Sequence, residues 1–361
     1  MPDLLNADAL CYNLPGLLKI LTAMLKSEET FSGQSSIEPV NPQPATVLAP
    51  PKTAGLLWVT YKKDLKWFEF SARSYAKFAN GWNFAKCVVP KRDVKAFKPV
   101  CEANGIEVWG GDEWEDKPFN WHQTMKCHAD DHLPGADVIF HCDADSVFAK
   151  KCSPSDWLPN RKVLMPYQNY DTFLKRSIGP DEMAGFMSGE KIDGELGPYN
   201  WKFAVEFALG RSVERECMRL LPIVHRREVY EKTRQLISER FPKKKFDGYV
   251  RSCRDKYPQS FCEFNTLGAV AHICFENGYE WWDFFGRPYE ESGLWGNIIQ
   301  SWSHGGLNGN CNYYGQASDQ TINTPQKLFA SLGILDTSKS SGLLKFWSRF
   351  KNARARRHDA K

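Results

Sequence analysis

No C-x-x-C pair occurs in this chain of 361 residues, although it holds 11 cysteines. That excludes the ligand spacing of a zinc ribbon. The odd count and irregular intervals argue equally against a disulfide framework. The cysteines therefore read as reduced, buried small hydrophobes, which favours a cytosolic setting. An apolar run of membrane-spanning length is also missing. The stretch Leu14–Leu25 is apolar on one face but contains Pro15 and Lys19, and no basic segment opens it. It reads as an amphipathic helix docked on the body rather than a signal peptide. Charge of one sign is scarce too, because the formal net charge is +4. The body is no polycation, and the excess sits in the tail, where Lys339–Lys361 holds eight Lys/Arg and one acid. There is no internal repeat.

What is present is an alternation of apolar runs and helical periodicity. Residues 1–54 form an amphipathic segment and a Pro/Ser-rich linker. From Gly55 onward, short β-rich runs are predicted at Leu56–Thr60, Phe84–Val89, Ile106–Trp109 and Ala136–Cys142. Between them the spacing predicts helices over Asp64–Phe78, Asp93–Ala103 and Trp121–His132. Asn80-Gly81 and Asn104-Gly105 supply left-handed stops for the first two. This order implies an α/β fold with a mostly parallel sheet and helices on both faces. Residues 55–153 read as the nucleotide-binding half. Residues 154–335 read as a more irregular, helical acceptor-binding half. It has strand-like runs at Val163–Pro166 and Tyr279–Asp283 and helices at Trp201–Leu209, Arg226–Phe241 and Glu263–Asn277. Gly185–Tyr199 and Ser303–Gly315 read as loops. Residues 336–361 form a basic amphipathic tail suited to an anionic surface, either membrane lipid or nucleic acid.

The feature that carries chemistry is Asp143-Ala144-Asp145, at the end of the apolar run 136–142. On an extended backbone, residues two apart project to one side. Two hard oxygen ligands facing one point suit Mg²⁺ or Mn²⁺, and open α/β sheets bind ligands at the carboxyl ends of their strands. Asp143-Ala144-Asp145-Ser146-Val147 also fits the D-x-D-x-[TV] pattern of haloacid-dehalogenase-type phosphatases, in which the first Asp is a nucleophile. That pattern normally follows the first strand of its domain, whereas three strand–helix units precede it here.

Taken together, several pieces resemble a GT-A-type glycosyltransferase, specifically a poorly characterised bacterial and phage-type group. They are the opening strand with Thr60, the helix with Trp121, Gln123 and Lys126, and the D-x-D after an apolar strand. Leu221-Pro222-Ile223 before a long helix, Cys262–Gly268 and Trp302-Ser303-His304-Gly305 complete the set. The resemblance spans roughly residues 55–306 and leaves out the first 50 residues and the tail. It implies a GT-A-like, Rossmann-like fold and a cation, Mn²⁺ or Mg²⁺, held by Asp143 and Asp145 with His304 as third ligand. Thr60, Tyr61, Gln123, Lys126, Asp143 and Asp145 would contact a nucleotide-sugar donor, with a UDP-sugar favoured. Glu263 would be the base that takes the acceptor proton, with Asp283 as its competitor. Asp64 reads as a helix cap, and Trp281 and Trp282 as either a sugar platform or core packing.

The expectation is a metal-dependent glycosyltransferase, cytoplasmic or peripheral to the membrane through its tail. Its hydroxyl acceptor would be a glycan, a lipid-linked sugar or a modified DNA base. A non-catalytic nucleotide- or glycan-binding protein of the same fold is the alternative, and the phosphatase a lesser one.

Overall fold

The computed structural model describes residues 48–170, 197–218, 221–254, 260–284, 286, 289–292, 294, 297–300 and 324–335. The amphipathic segment, most of the linker, His304, the two Gly-rich loops except Gly197–Tyr199, and the basic tail lie outside them. The strands are β1 (Ala54–Val59), β2 (Phe84–Pro90), β3 (Glu107–Gly111), β4 (Val138–Cys142), β5 (Ser146–Phe148), β6 (Val163–Asn169), β7 (Arg215–Glu216), β8 (Ile223–Arg226), β9 (Tyr279–Asp283) and β10 (Ile298–Gln300). The helices are α1 (Leu65–Phe78), α2 (Val94–Ala103), α3 (Pro118–Cys127), α4 (Ala129–His132), α5 (Gly197–Leu209), α6 (Arg227–Arg240), α7 (Lys245–Ser252), α8 (Glu263–Phe275) and α9 (Pro325–Ser331). The fold is α/β, with a mostly parallel central sheet of order β3-β2-β1-β4-β8 flanked by helices. Two smaller sheets pair β10 with β5 and order β7-β6-β9. The chain divides into two compact units, each drawing on stretches from both sides of residue 153.

One unit comprises residues 56–112, 142–156 and 292–361. Its first strand is buried at every position, as expected for a strand covered on both faces. Leu56, Leu57 and Trp58 have no exposed surface, and each such side chain contributes about 1.5–3 kcal/mol. α1 buries Phe68 and Ala72, members of the apolar stripe its periodicity predicts, and also Trp67 and Phe70, which belong to a second core. Ser71 on the same face accepts the Trp58 indole N–H at 2.9 Å. β2 and β3 run parallel, with Lys86 opposite Glu107 and Pro90 opposite Gly111. Gly110 is required where β3 meets α2, because a Cβ there would lie 3.0 Å from the Lys91 backbone and press on Val94. A second core joins Trp67, Phe70, Val147, Ile299, Leu328, Phe329 and Ile334. It closes β5, β10 and α9 over the outer side of α1.

The other unit comprises residues 1–55, 113–141 and 157–291. Here β4 pairs antiparallel with β8, placing Ile139 opposite His225 and His141 opposite Ile223. β6 pairs parallel with β9 and antiparallel with β7. α8 is buried at every residue from Glu263 to Ala271, so it is a core helix rather than a surface one. Order begins before Gly55. The Asp137 carboxylate accepts the N–H groups of Lys52 at 2.7 Å and Thr53 at 3.0 Å, and Arg226 donates to the Ala49 carbonyl at 2.8 Å. Burial pushes the Asp137 carboxyl up, but the two N–H bonds outweigh it and hold it below the usual range. The helix predicted over Trp121–His132 breaks at His128, where φ is −103° and ψ is 23°, so α3 and α4 are separate.

Candidate functional site

β1 delivers Thr60 and Tyr61 into a short 3-10 turn, Lys62–Asp64. Three bonds fix that turn. Thr60 N–H donates to the Val88 carbonyl at 3.0 Å and Asp64 N–H to the Tyr61 carbonyl at 2.9 Å. Lys62 N–H donates to the buried Asp93 carboxylate at 2.9 Å. Thr60 is buried, and its hydroxyl has no hydrogen-bond partner among the described residues. Tyr61 is 41 % exposed.

Asp64 sits at the N-cap of α1 but makes no side-chain cap bond. Its carboxylate instead accepts the Tyr61 hydroxyl. Capping, the role read from sequence, is therefore corrected. Burial raises the Asp64 pKa, and the negative charges of Asp145 and Asp143 raise it further. The Tyr61 hydroxyl is pushed up as well, by burial, then by Asp64 and Asp145. Tyr61, Asp64, Asp143 and Asp145 thus form one electrostatic group.

The backbone at Asp143-Ala144-Asp145 is not extended. It is a tight turn between β4 and β5, closed by Ser146 N–H donating to the Asp143 carbonyl at 3.0 Å. The two carboxylates come near Asp64 through this turn rather than through strand alternation. Asp145 is 9 % exposed and Asp143 is half-buried. Among the described residues, no three His, Cys, Asp or Glu groups lie together at metal-ligand spacing. His304, the third ligand implied by the resemblance, is outside those residues.

In the other unit, Gln123, Lys126 and Glu263 converge. Lys126 Nζ lies 3.1 Å from Glu263 Oε1, with side chains only 6 % and 9 % exposed. Gln123 Nε2 donates to Glu263 Oε2 at 2.8 Å and to the Phe261 carbonyl at 2.8 Å. The Lys126 ammonium also stands 4.4 Å from the centroid of the Phe264 ring, a favourable cation–π placement. The helical spacing of Gln123 and Lys126 put them on one face, as predicted. What they meet on that face is Glu263, so each Glu263 oxygen already has a donor.

A histidine cluster adjoins this pair. His141 Nε2 lies 2.7 Å from the Tyr230 hydroxyl, and the ring stands edge-on to Phe264 at 5.2 Å. His225 is fully buried, and neither of its ring nitrogens has a hydrogen-bond partner among the described residues. Burial pushes its pKa down to about 3. Burial also lowers His141, helped by the charge of Lys126. Sequence reading passed over this cluster, although a histidine within each of two apolar strands was the available signal.

Asp283 closes β9, half-buried, in register with Tyr167 of β6. Its neighbour Trp281 is committed to packing. The Arg215 guanidinium lies between the Tyr167 and Trp281 rings, at 4.7 Å and 4.6 Å. His272 meets the same indole edge-on and Tyr279 meets it at a tilt, each at 5.4 Å.

No family model matches the chain, and no curated protein matches it. The α/β class therefore rests on the architecture itself.

Proposed function

We propose that this chain is a metal-dependent glycosyltransferase with a nucleotide-sugar donor, UDP-linked by preference, and a hydroxyl acceptor. The observation that supports it is the group Tyr61–Asp64–Asp143–Asp145. Burial raises the Asp64 pKa, and the two carboxylates Asp145 and Asp143, after β4, are close enough to raise it further. Lys63 offsets part of this negative charge, and a divalent cation would stabilise the ionised carboxylates further. Hard carboxylate oxygens fit Mg²⁺ or Mn²⁺, which commonly take one or two carboxylates and complete their shell with water and substrate phosphates. Asp143 and Asp145 would hold the ion, and the ion would supply charge stabilisation for a departing nucleoside diphosphate.

The chain's own residues divide the remaining work. Tyr61, exposed and fixed by its bond to Asp64, offers a ring for a nucleotide base. The buried Thr60 hydroxyl offers a hydrogen bond beside it. Of the two candidate bases, Asp283 is the half-exposed one, at the end of β9. Glu263 already has a donor on each oxygen, Gln123 Nε2 and Lys126 Nζ. We assign Glu263, with Gln123 and Lys126, to holding α3 against α8.

The test is calorimetric titration of UDP with and without Mn²⁺, followed by Mn²⁺-dependent hydrolysis of a UDP-sugar panel. Support would be Mn²⁺-dependent UDP binding that is lost in Asp145→Asn. No binding of any common nucleotide sugar, with or without Mn²⁺, would remove both the donor and the metal from the proposal. Binding without turnover would favour a non-catalytic binding protein. Turnover of a generic aryl phosphate would favour the phosphatase.

A further inference from the structure

His128 occupies the break between α3 and α4, and both of its ring nitrogens face carboxylates. Nδ1 lies 2.7 Å from Asp131 Oδ2, on α4. Nε2 lies 2.8 Å from Asp247 Oδ1, in the first turn of α7 and 119 residues away. A carboxylate only accepts, and a neutral imidazole has one N–H. Both contacts can be hydrogen bonds only when the ring carries two protons. Loss of one proton turns a lone pair toward an oxyanion at the same distance.

The surroundings support a cation at this point. His128 follows the C-terminus of α3, where positive charge is favoured. From α6, Arg234 holds Asp130 with two bonds of 2.6 and 2.7 Å. It also donates to the Cys127 carbonyl at 2.6 Å and comes within 3.7 Å of Asp131. The charged groups facing the ring are thus Asp131 from α4, Asp247 from α7 and Arg234 from α6. Phe246 of α7 meets the imidazole edge-on at 5.8 Å. Burial works against the charge and Arg234 adds to that, but the two carboxylates outweigh them and raise the His128 pKa.

We infer that His128, Asp131 and Asp247 form a pH-sensitive clamp, which fastens the start of α7 to the α3–α4 junction and releases it when the ring loses a proton. The Asp131 contact is local, only three residues along the chain, and survives release. The Asp247 contact is the one that joins distant elements. The far end of α7 has its own ties, independent of pH. Asn120 Nδ2 donates to the Val250 carbonyl at 2.6 Å, and Lys117 to the Cys253 carbonyl at 3.2 Å. In the first turn, buried Phe246 keeps its own bond, its N–H donating to Ser238 Oγ of α6 at 3.0 Å, so release loosens the first turn of α7 from the α3–α4 junction while its last turn stays on α3.

The sign follows from the raised pKa. The clamp is fully closed below the ordinary histidine value of about 6.5 and is lost as pH rises through the His128 value. Opening should grow by up to tenfold per pH unit within that window and then level off.

The experiment is amide hydrogen exchange of the full chain from pH 6 to 9, corrected for intrinsic rates and read by mass spectrometry. Exchange at the histidine C2 position in the same samples gives the His128 titration, with His128→Gln identifying its share of the peptide. The expected result is His128 titrating above 6.5 and peptides of Lys245–Ser252 losing protection across the same window. His128→Gln should abolish that pH dependence. Asp247→Asn should move the His128 titration down and flatten the α7 profile. The idea is overturned if His128 titrates at or below 6.5, or if α7 protection keeps its pH dependence in both variants.

Discussion

Replacing Lys126 by Met tests the central packing claim most directly. The ion pair Lys126–Glu263 spans 3.1 Å with both side chains nearly sealed from solvent. At an effective dielectric near 20, a unit-charge pair at that separation attracts by about 5 kcal/mol. Desolvation of both ions offsets much of this, so the pair as a whole adds little net stability. Removing one partner is different, because it leaves the Glu263 carboxylate buried, and such a break costs about 3–5 kcal/mol. The Gln123 bond to Oε2 remains, which places Lys126→Met toward the lower end of that range. For a unit of this size, about 3 kcal/mol corresponds to a melting shift of roughly 6–12 °C. The double variant Lys126→Met/Glu263→Leu removes both charges and should recover most of the loss. The assay is urea unfolding at pH 7, followed by tryptophan fluorescence and near-ultraviolet circular dichroism. A Lys126→Met loss below about 1 kcal/mol, or a double variant costing the sum of the singles, would refute a buried, coupled pair.

Other perturbations probe separate elements. Asp145→Asn should reduce Mn²⁺-dependent UDP binding at least tenfold while leaving the urea midpoint unchanged; equal affinity would take Asp145 out of the donor site. Acidification should destabilise the unit that holds His225, because the ring stays neutral when folded and takes a proton when unfolded. Its contribution is present above about pH 6.5 and falls by about 1.4 kcal/mol per pH unit below that, toward its folded value of about 3. His225→Leu should flatten this acid limb in a pH series of urea midpoints, and an unchanged limb would assign it to other groups. Gly268→Ala should cost about 1–3 kcal/mol, since a Cβ on α8 would lie 2.6 Å from Cys217 Sγ and press on its Cβ. Adding Cys217→Gly should restore stability, and no rescue would place the damage elsewhere.

The first half of the fold was largely legible because local signals agreed there. α1 and α2 fall within a residue of the predicted limits, since an apolar stripe of helical period ends at Asn-Gly in both. Gly105 directly follows the C-cap of α2 in the left-handed conformation such a stop requires, with φ of 67°, whereas α1 ends at an extended Ala79, two residues before the left-handed Gly81. β9 matches its predicted bounds of Tyr279–Asp283 for a similar reason, a dense β-favouring run after a glycine. The failures share a cause: tertiary partners decide those segments. β8 is four residues with His225 and Arg226 in it, and it becomes a strand because β4 offers an antiparallel edge. α7 carries Gly248 at mid-helix, which weakens any local prediction, and it is held by Asn120 of α3 and by Lys117 and His128, which flank that helix. The break at His128 leaves no trace in periodicity, since its two carboxylate partners lie on α4 and α7.

The candidate site was legible as a set of residues and illegible as a set of contacts. Polar side chains in apolar settings can be singled out from sequence, as Gln123, Lys126 and Glu263 were. Whether each faces a ligand or another such residue depends on pairs separated by 137 and 140 positions, beyond the reach of spacing arguments. The same limit applies to Asp64. Its position before α1 gives the cap reading, and only the turn at 143–146 brings two further carboxylates near enough to change its electrostatics. That contrast separates the two groups physically. In the Lys126–Glu263 network, opposite charges are matched and each carboxylate oxygen has a donor, so the arrangement is complete in itself. The Tyr61–Asp64–Asp143–Asp145 group has like charges that raise the cost of ionising Asp64, offset only in part by Lys63. Repulsion among fixed carboxylates is tolerated when a positive group relieves it. A cation and the diphosphate it carries are therefore sought at Asp143 and Asp145 rather than at Glu263.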